Sequence, residues 1–262
     1  MVSINDITVK RELLYSLTPF SEGVKALKRR ADLVDFAFSN LRLNGSRLTR
    51  EGVQNILSGN TISGVPVFDH LLCEAHRKLL ARFDDKIHMM LDMDTILLNE
   101  FCTVLSGMAE RRPMDEALPP YREGTDVLYH LDFVPGDENR ITSDLSRFFS
   151  SVKRRENEGI FESDEGGGGG DFCLKAAAIH MGVVKVYPYA EGFSEMAARA
   201  AMQYELIKAG YFTVDIGLSE QEYNRMVSEA VKTEDASEFA SCLRVAVIRK
   251  LNFLIDAVER GV

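Results

Sequence analysis

Residues 186–199 read Val186-Tyr187-Pro188-Tyr189-Ala190-Glu191-Gly192-Phe193-Ser194-Glu195-Met196-Ala197-Ala198-Arg199. A rigid proline and an aromatic lead into an acid and a glycine, and the pattern predicts a helix directly afterwards, over about 193–209, stopped by Gly210. A helix N-terminus leaves backbone N–H groups unpaired and carries partial positive charge, so the stretch has the outline of an anion cradle. Its side chains point elsewhere. Glu195 lies in the first turn, where a phosphate would meet a like charge. At an effective dielectric near 20, unit charges ~4 Å apart are worth roughly 4 kcal/mol. Glu191 alone is a weak Mg²⁺ site without a phosphate to share the ion. Tyr187, with a reference pKa of about 10, is only ~0.1% phenolate at neutral pH and makes a poor base. An i, i+4 ion pair between Glu195 and Arg199 is the plain structural account of both residues.

The elements that must hold this loop are helical. Apolar residues recur with helical period over about 21–40, 67–83, 93–109, 172–185 and 236–259, and Thr49 is placed to cap a short helix over 50–58. Asn44-Gly45 ends the first of these, and Asp137 is placed to cap a helix running to about 154. Ser219 with Glu222, and Asp235 with Glu238, have the spacing of capping boxes. The one strand signal is Val127 to Val134, where Val127, Tyr129, Leu131 and Phe133 alternate with more polar neighbours, closed by a Pro135-Gly136 turn. Five consecutive glycines, Gly166 to Gly170, lack the preceding strand and the following Lys-Ser/Thr of a phosphate loop and read as a flexible linker within 155–171. The expected fold is all-α with a small β-hairpin.

The chain has 262 residues, 45% hydrophobic and 27% charged, enough for one sizeable core. A net charge of −9 without Lys/Arg runs argues against nucleic-acid or anionic-membrane partners. The four cysteines, without CxxC spacing, read as buried thiols. With no secretory signal pattern and no apolar run near the ~18 residues of a bilayer span, the expected location is the cytoplasm.

The loop resembles that of the Fic (Fido) family, His-Pro-Phe-x-Asp/Glu-Gly-Asn-Gly-Arg-x-x-Arg. Pro188, Glu191, Gly192 and Arg199 match it; Tyr187 stands at the His, Tyr189 at the Phe, Phe193 at the Asn, Ser194 at the second Gly and Glu195 at the first Arg. His180 matches a His on the preceding helix, and Ile207-Lys208-Ala209-Gly210-Tyr211 resembles the end of the following one. Pro120-Tyr121-Arg122 with the strand signal resembles the entry to the family's flap, which lines up a target segment beside the active site. Asn40 to Thr49 resembles the inhibitory helix, with Asn44 at the position of the inhibitory Glu.

The resemblance covers residues of about 20–258. It implies one Fic-like domain over 1–262, with an inhibitory-helix-like region at 1–65, a core at 92–225 and C-terminal helices at 226–262. Family members with an intact loop transfer AMP, or in one branch phosphate, to a protein hydroxyl. In them the His is the base, the acid holds Mg²⁺, and the polar and basic loop residues hold phosphates. Carried over, Tyr187, Glu191 and Arg199 are the catalytic positions, Gly192, Phe193, Ser194 and Glu195 the phosphate loop, and Glu191 the Mg²⁺ ligand. Val127, Tyr129 and Leu131 are the flap, where a protein segment docks; a nucleotide and a homo-oligomer are the other partners that the resemblance implies. Three expectations follow: a degenerate member that binds or regulates a protein, a transferase of altered donor working through Glu191, Arg199 or His180, and residual AMP transfer through Tyr187.

Overall fold

The computed structural model describes residues 2–109, 121–124, 128, 130–161, 171–190 and 192–261, with backbone alone at 108 and 109. Within them lie ten α-helices: α1 (Ile4–Ser16), α2 (Glu22–Arg42), α3 (Arg50–Leu57), α4 (Val67–His88), α5 (Thr95–Ala109), α6 (Ile141–Asn157), α7 (Phe172–Val186), α8 (Phe193–Lys208), α9 (Glu220–Thr233) and α10 (Ser237–Glu259). The only β pairings among the described residues are two isolated antiparallel bridges, Tyr121 with Tyr189 and Leu128 with Phe133.

The core is organised on α8. Every residue from Phe193 to Leu206 is buried, the signature of a helix covered on all sides. Ala197, Ala198, Ala200 and Ala201 have no bulk to hold neighbours away, and α7, α5 and α2 pack against α8. Around this centre α4 covers α5 and α2, while α6, α9 and α10 pack on α7, and α1 packs on α10. At Gly182 a Cβ would fall 2.0 Å from the Phe148 ring, so α6 seats that aromatic directly on the α7 backbone.

The caps explain most of the boundaries. Thr49 accepts the Gly52 N–H at the start of α3, and Ser219 with Glu222 forms the expected capping box of α9. The Asp235–Glu238 box does not form: α10 starts after Ala236, Asp235 accepts the Ser237 N–H, and Glu238 turns to Arg225 at 2.8 Å. Asp137 caps a short 3₁₀ turn, Glu138–Arg140, that leads into α6. Helix α1 carries its own capping box, Ser3 with Asp6, and buries Ile4, Ile7 and Leu14.

Candidate functional site

The loop between α7 and α8 is shaped by two left-handed residues. Tyr187 (φ 49°) ends α7 while its N–H still reaches Val183 O at 2.9 Å, and Gly192 (φ 78°) opens α8. A tyrosine in that region is strained by roughly 1–2 kcal/mol, so neighbouring bonds must hold it. Gly192 has a second constraint, since a Cβ there would lie 2.8 Å from Asn44 Nδ2. Ser194 closes the loop on itself: its Oγ accepts the Tyr189 N–H and donates to Tyr189 O, each at 2.6 Å.

A second segment clamps the loop from outside. Arg122 N–H donates to Pro188 O at 2.9 Å and its Nε to Tyr187 O at 2.7 Å, while the two terminal nitrogens donate to Gly124 O and Gly136 O. One buried guanidinium therefore ties the tyrosine loop to both legs of the hairpin. Tyr121 stacks on Tyr189 with centroids 5.9 Å apart, and Asn99 bonds the hydroxyls of both rings.

The hairpin differs from the expected strand. Leu128 pairs with Phe133 (N–H to O, 3.0 Å), and Leu131 N–H returns to Leu128 O at 2.9 Å. The chain thus reverses at His130–Asp132, inside the alternating stretch, and not at Pro135-Gly136. Asp132 (φ 50°) permits the reversal, because a short polar side chain tolerates the left-handed region. Leu131 is fully buried at the tip. Val127 and Tyr129 lie outside the described residues, as does Glu191, the expected Mg²⁺ ligand.

The crevice under the hairpin holds a carboxylate. Glu195, 5% exposed, accepts the Tyr187 hydroxyl on Oε2 at 2.9 Å and faces His130 Nε2 from Oε1 at 2.6 Å. Burial pushes the Tyr187 phenol far above its ordinary value, and the neighbouring Glu195 carboxylate pushes it further. The hydrogen bond to Glu195 raises His130 against the cost of its partial burial. No family pattern pointed to His130; in sequence it is one of the polar residues between Tyr129 and Leu131.

The expected Glu195–Arg199 ion pair is not made. Both side chains are buried, but they turn to opposite networks. Arg199 Nε donates to Asn40 Oδ1 at 2.6 Å, one terminal nitrogen to Tyr223 OH at 3.0 Å and the other to Asn44 Oδ1 at 2.9 Å. Asn44, which the resemblance puts at the inhibitory position, meets Arg199 as a neutral amide. Asn40 and Tyr223 complete the ring of acceptors; the capping box next to Tyr223 was the only sequence signal near it. His180, fully buried, reaches Tyr223 OH through Nε2 at 2.8 Å and stacks on Phe239 at 5.0 Å. Burial, with the Arg199 charge added, lowers its pKa to about 3. Among the described residues no group of three or more His, Cys, Asp or Glu is arranged to hold a metal.

A buried helix–loop–helix, clamped by a short hairpin at its loop and faced by the end of an N-terminal helix, defines an all-α class of protein. The fold is that of Fic-domain proteins. A Fic domain-containing signaling protein from Bacteroides thetaiotaomicron VPI-5482 superposes with a TM-score of 0.76 at 16% identity over 97% of each chain. Fic-1 from C. elegans gives 0.69 at 14% identity, over 98% of this chain and 72% of that one. A Fic family protein from Desulfovibrio desulfuricans G20 gives 0.59 at 14% identity, over 100% of this chain and 75% of that one. No family model and no curated protein sequence matches the chain. No helix among the described residues is long and apolar enough to cross a membrane.

Proposed function

We propose that this chain is a degenerate Fic-fold protein that does not transfer AMP and that uses its hairpin and the adjoining groove to hold a segment of a partner protein. The observation that carries the first half is the Tyr187–Glu195 bond. The residue at the base position donates a hydrogen bond to a buried carboxylate and keeps its proton, and that carboxylate stands where the family places a phosphate-binding Arg. The described residues do not fit a triphosphate: Glu195 would repel it, and Phe193 offers no polar side chain. His180, in the fully buried cluster behind Arg199, does not supply an accessible base in its place.

The binding half rests on a groove of about 1000 Å³ beside the hairpin. Phe133 and Val134 form its hairpin side, Phe148, Ala178 and Gly182 its floor, and Arg140, Arg147 and Glu234 its charged rim. An apolar floor with a polar rim suits a peptide segment.

The test is a panel of nucleotides and nucleotide sugars, each with and without Mg²⁺, read by thermal unfolding. Ligand at 100 times its Kd stabilises by about 2.7 kcal/mol, which raises Tm by roughly 5–11 °C for a chain of this size. No shift with any nucleotide is the expected outcome. An Mg²⁺-dependent ATP shift that disappears in Glu191→Ala would overturn the reading.

A further inference from the structure

The hairpin is fastened at its base by neutral acceptors around Arg122, but at its tip by a charge. His130 projects from the turn onto Glu195 of α8, 2.6 Å away, with its side chain 44% exposed against 7% for Glu195. The imidazole is thus open to protons from solvent while its partner is not. We propose that His130 and Glu195 form a pH-gated latch that fastens the hairpin tip over the loop when the imidazole is protonated and loosens it when the imidazole is neutral.

The groups around the imidazole all act in one sense or are already paired. Glu195 faces it directly, and Glu220 at the start of α9 adds a second negative charge. The Tyr187 hydroxyl is turned to the other oxygen of Glu195 and stays un-ionised. On the hairpin's outer side Asp132 is paired with Lys232 of α9. The imidazolium is therefore favoured in the latched state above its ordinary value of 6.5. The latching contribution is complete below that pH and disappears as pH rises through the raised value in the latched state; each unit of difference is a factor of ten in the latched-to-open ratio. The proposal goes beyond partner binding and does not depend on it, since the latch operates in the free protein.

Hydrogen exchange tests it directly. The Leu128 and Leu131 amides close the hairpin by bonds to Phe133 O and Leu128 O, so their protection, normalised for intrinsic exchange, reports its opening. Protection at both should fall several-fold between pH 6 and pH 9, with a midpoint matching the His130 titration seen by NMR. In Glu195→Gln the His130 midpoint should drop towards 6.5 and the fall in protection should vanish. His130→Lys, charged throughout the range, should hold protection high and flat. Flat protection in the unaltered protein, or an unchanged fall in Glu195→Gln, overturns the latch. So does an equal fall at α8 amides, which would report global unfolding instead.

Discussion

Two clusters of buried charge in this fold are satisfied in opposite ways. Between α2 and α10, Lys250 lies 2.9 Å from Asp32 and 2.6 Å from Asp35, Lys28 meets Asp32 at 2.9 Å, and Arg50 meets Asp35. Every charge there has an opposite charge against it. Around the loop, Arg199 is held by two asparagines and a tyrosine, and Glu195 by a tyrosine and a histidine. No carboxylate pairs with Arg199 among the described residues. The first cluster is a clamp between helices. The second keeps a cation and an anion apart, each among groups that are neutral or that titrate near neutrality, and this is the arrangement expected where charge serves a conformational response more than rigidity.

The clamp should be the harder to break. Lys250→Met removes the buried cation that Asp32 and Asp35 share and leaves them to the more exposed Lys28 and Arg50. It should cost about 3 kcal/mol in urea unfolding, the low end of the scale for removing one partner of a buried ion pair. A loss below about 1 kcal/mol would remove the distinction between the clusters.

Acid should attack the other region first. His180 and His76 are fully buried, with pKa values lowered to about 3 and about 4, chiefly by burial, and both feel the Arg199 charge. Their native forms stay neutral while the unfolded chain binds protons near 6.5, so stability is complete above that pH and is lost as pH falls. Two such groups give a slope of roughly 2 kcal/mol per unit between pH 6 and pH 5. Unfolding midpoints at those two pH values measure it, and replacing either histidine should halve it.

Tyr187→Phe probes the same region on a smaller scale. It removes one of two donors to Glu195 and should cost about 1 kcal/mol, with the hairpin still clamped by Arg122. A cost beyond ~3 kcal/mol would mean that the phenol, and not Arg122, holds the loop.

How these regions show in sequence follows from how they are built. The long helices were readable because each buries a periodic face, and Pro188, Gly192 and Arg199 could be placed because the loop keeps its local order. The all-α fold was legible for that reason. Helix α1, absent from the expected helices, has no periodic signal in the sequence because Val9, Leu13 and Tyr15 are exposed on it, so apolar residues mark no single face; the Ser3–Asp6 box that caps it is its one local mark. The hairpin was misdrawn because alternation alone does not show where Asp132 will reverse the chain. Glu195 and Arg199 have ion-pair spacing along α8, yet long-range partners (His130 for one, Asn40, Asn44 and Tyr223 for the other) claim both side chains. Spacing along one helix carries no information about residues that other elements bring to it.

The smallest expected effect asks whether Arg199 is truly short of an anion. Asn44 Oδ1 accepts from its guanidinium at 2.9 Å, so Asn44→Asp leaves the shape of the contact intact and makes the acceptor a carboxylate. The existing bond already has an ionised donor, so the variant adds the attraction of a part-exposed ion pair and should gain about 0.5–1 kcal/mol at low salt. The gain should shrink in 1 M salt, where screening reaches a half-buried pair. The second cluster would then resemble the clamp between α2 and α10, a cation answered by an acid, and the α2 end would hold more tightly against the loop. If Asn44→Asp instead destabilises the protein, the added carboxylate is meeting negative charge that already balances Arg199, and the contrast between the two clusters fails at that residue.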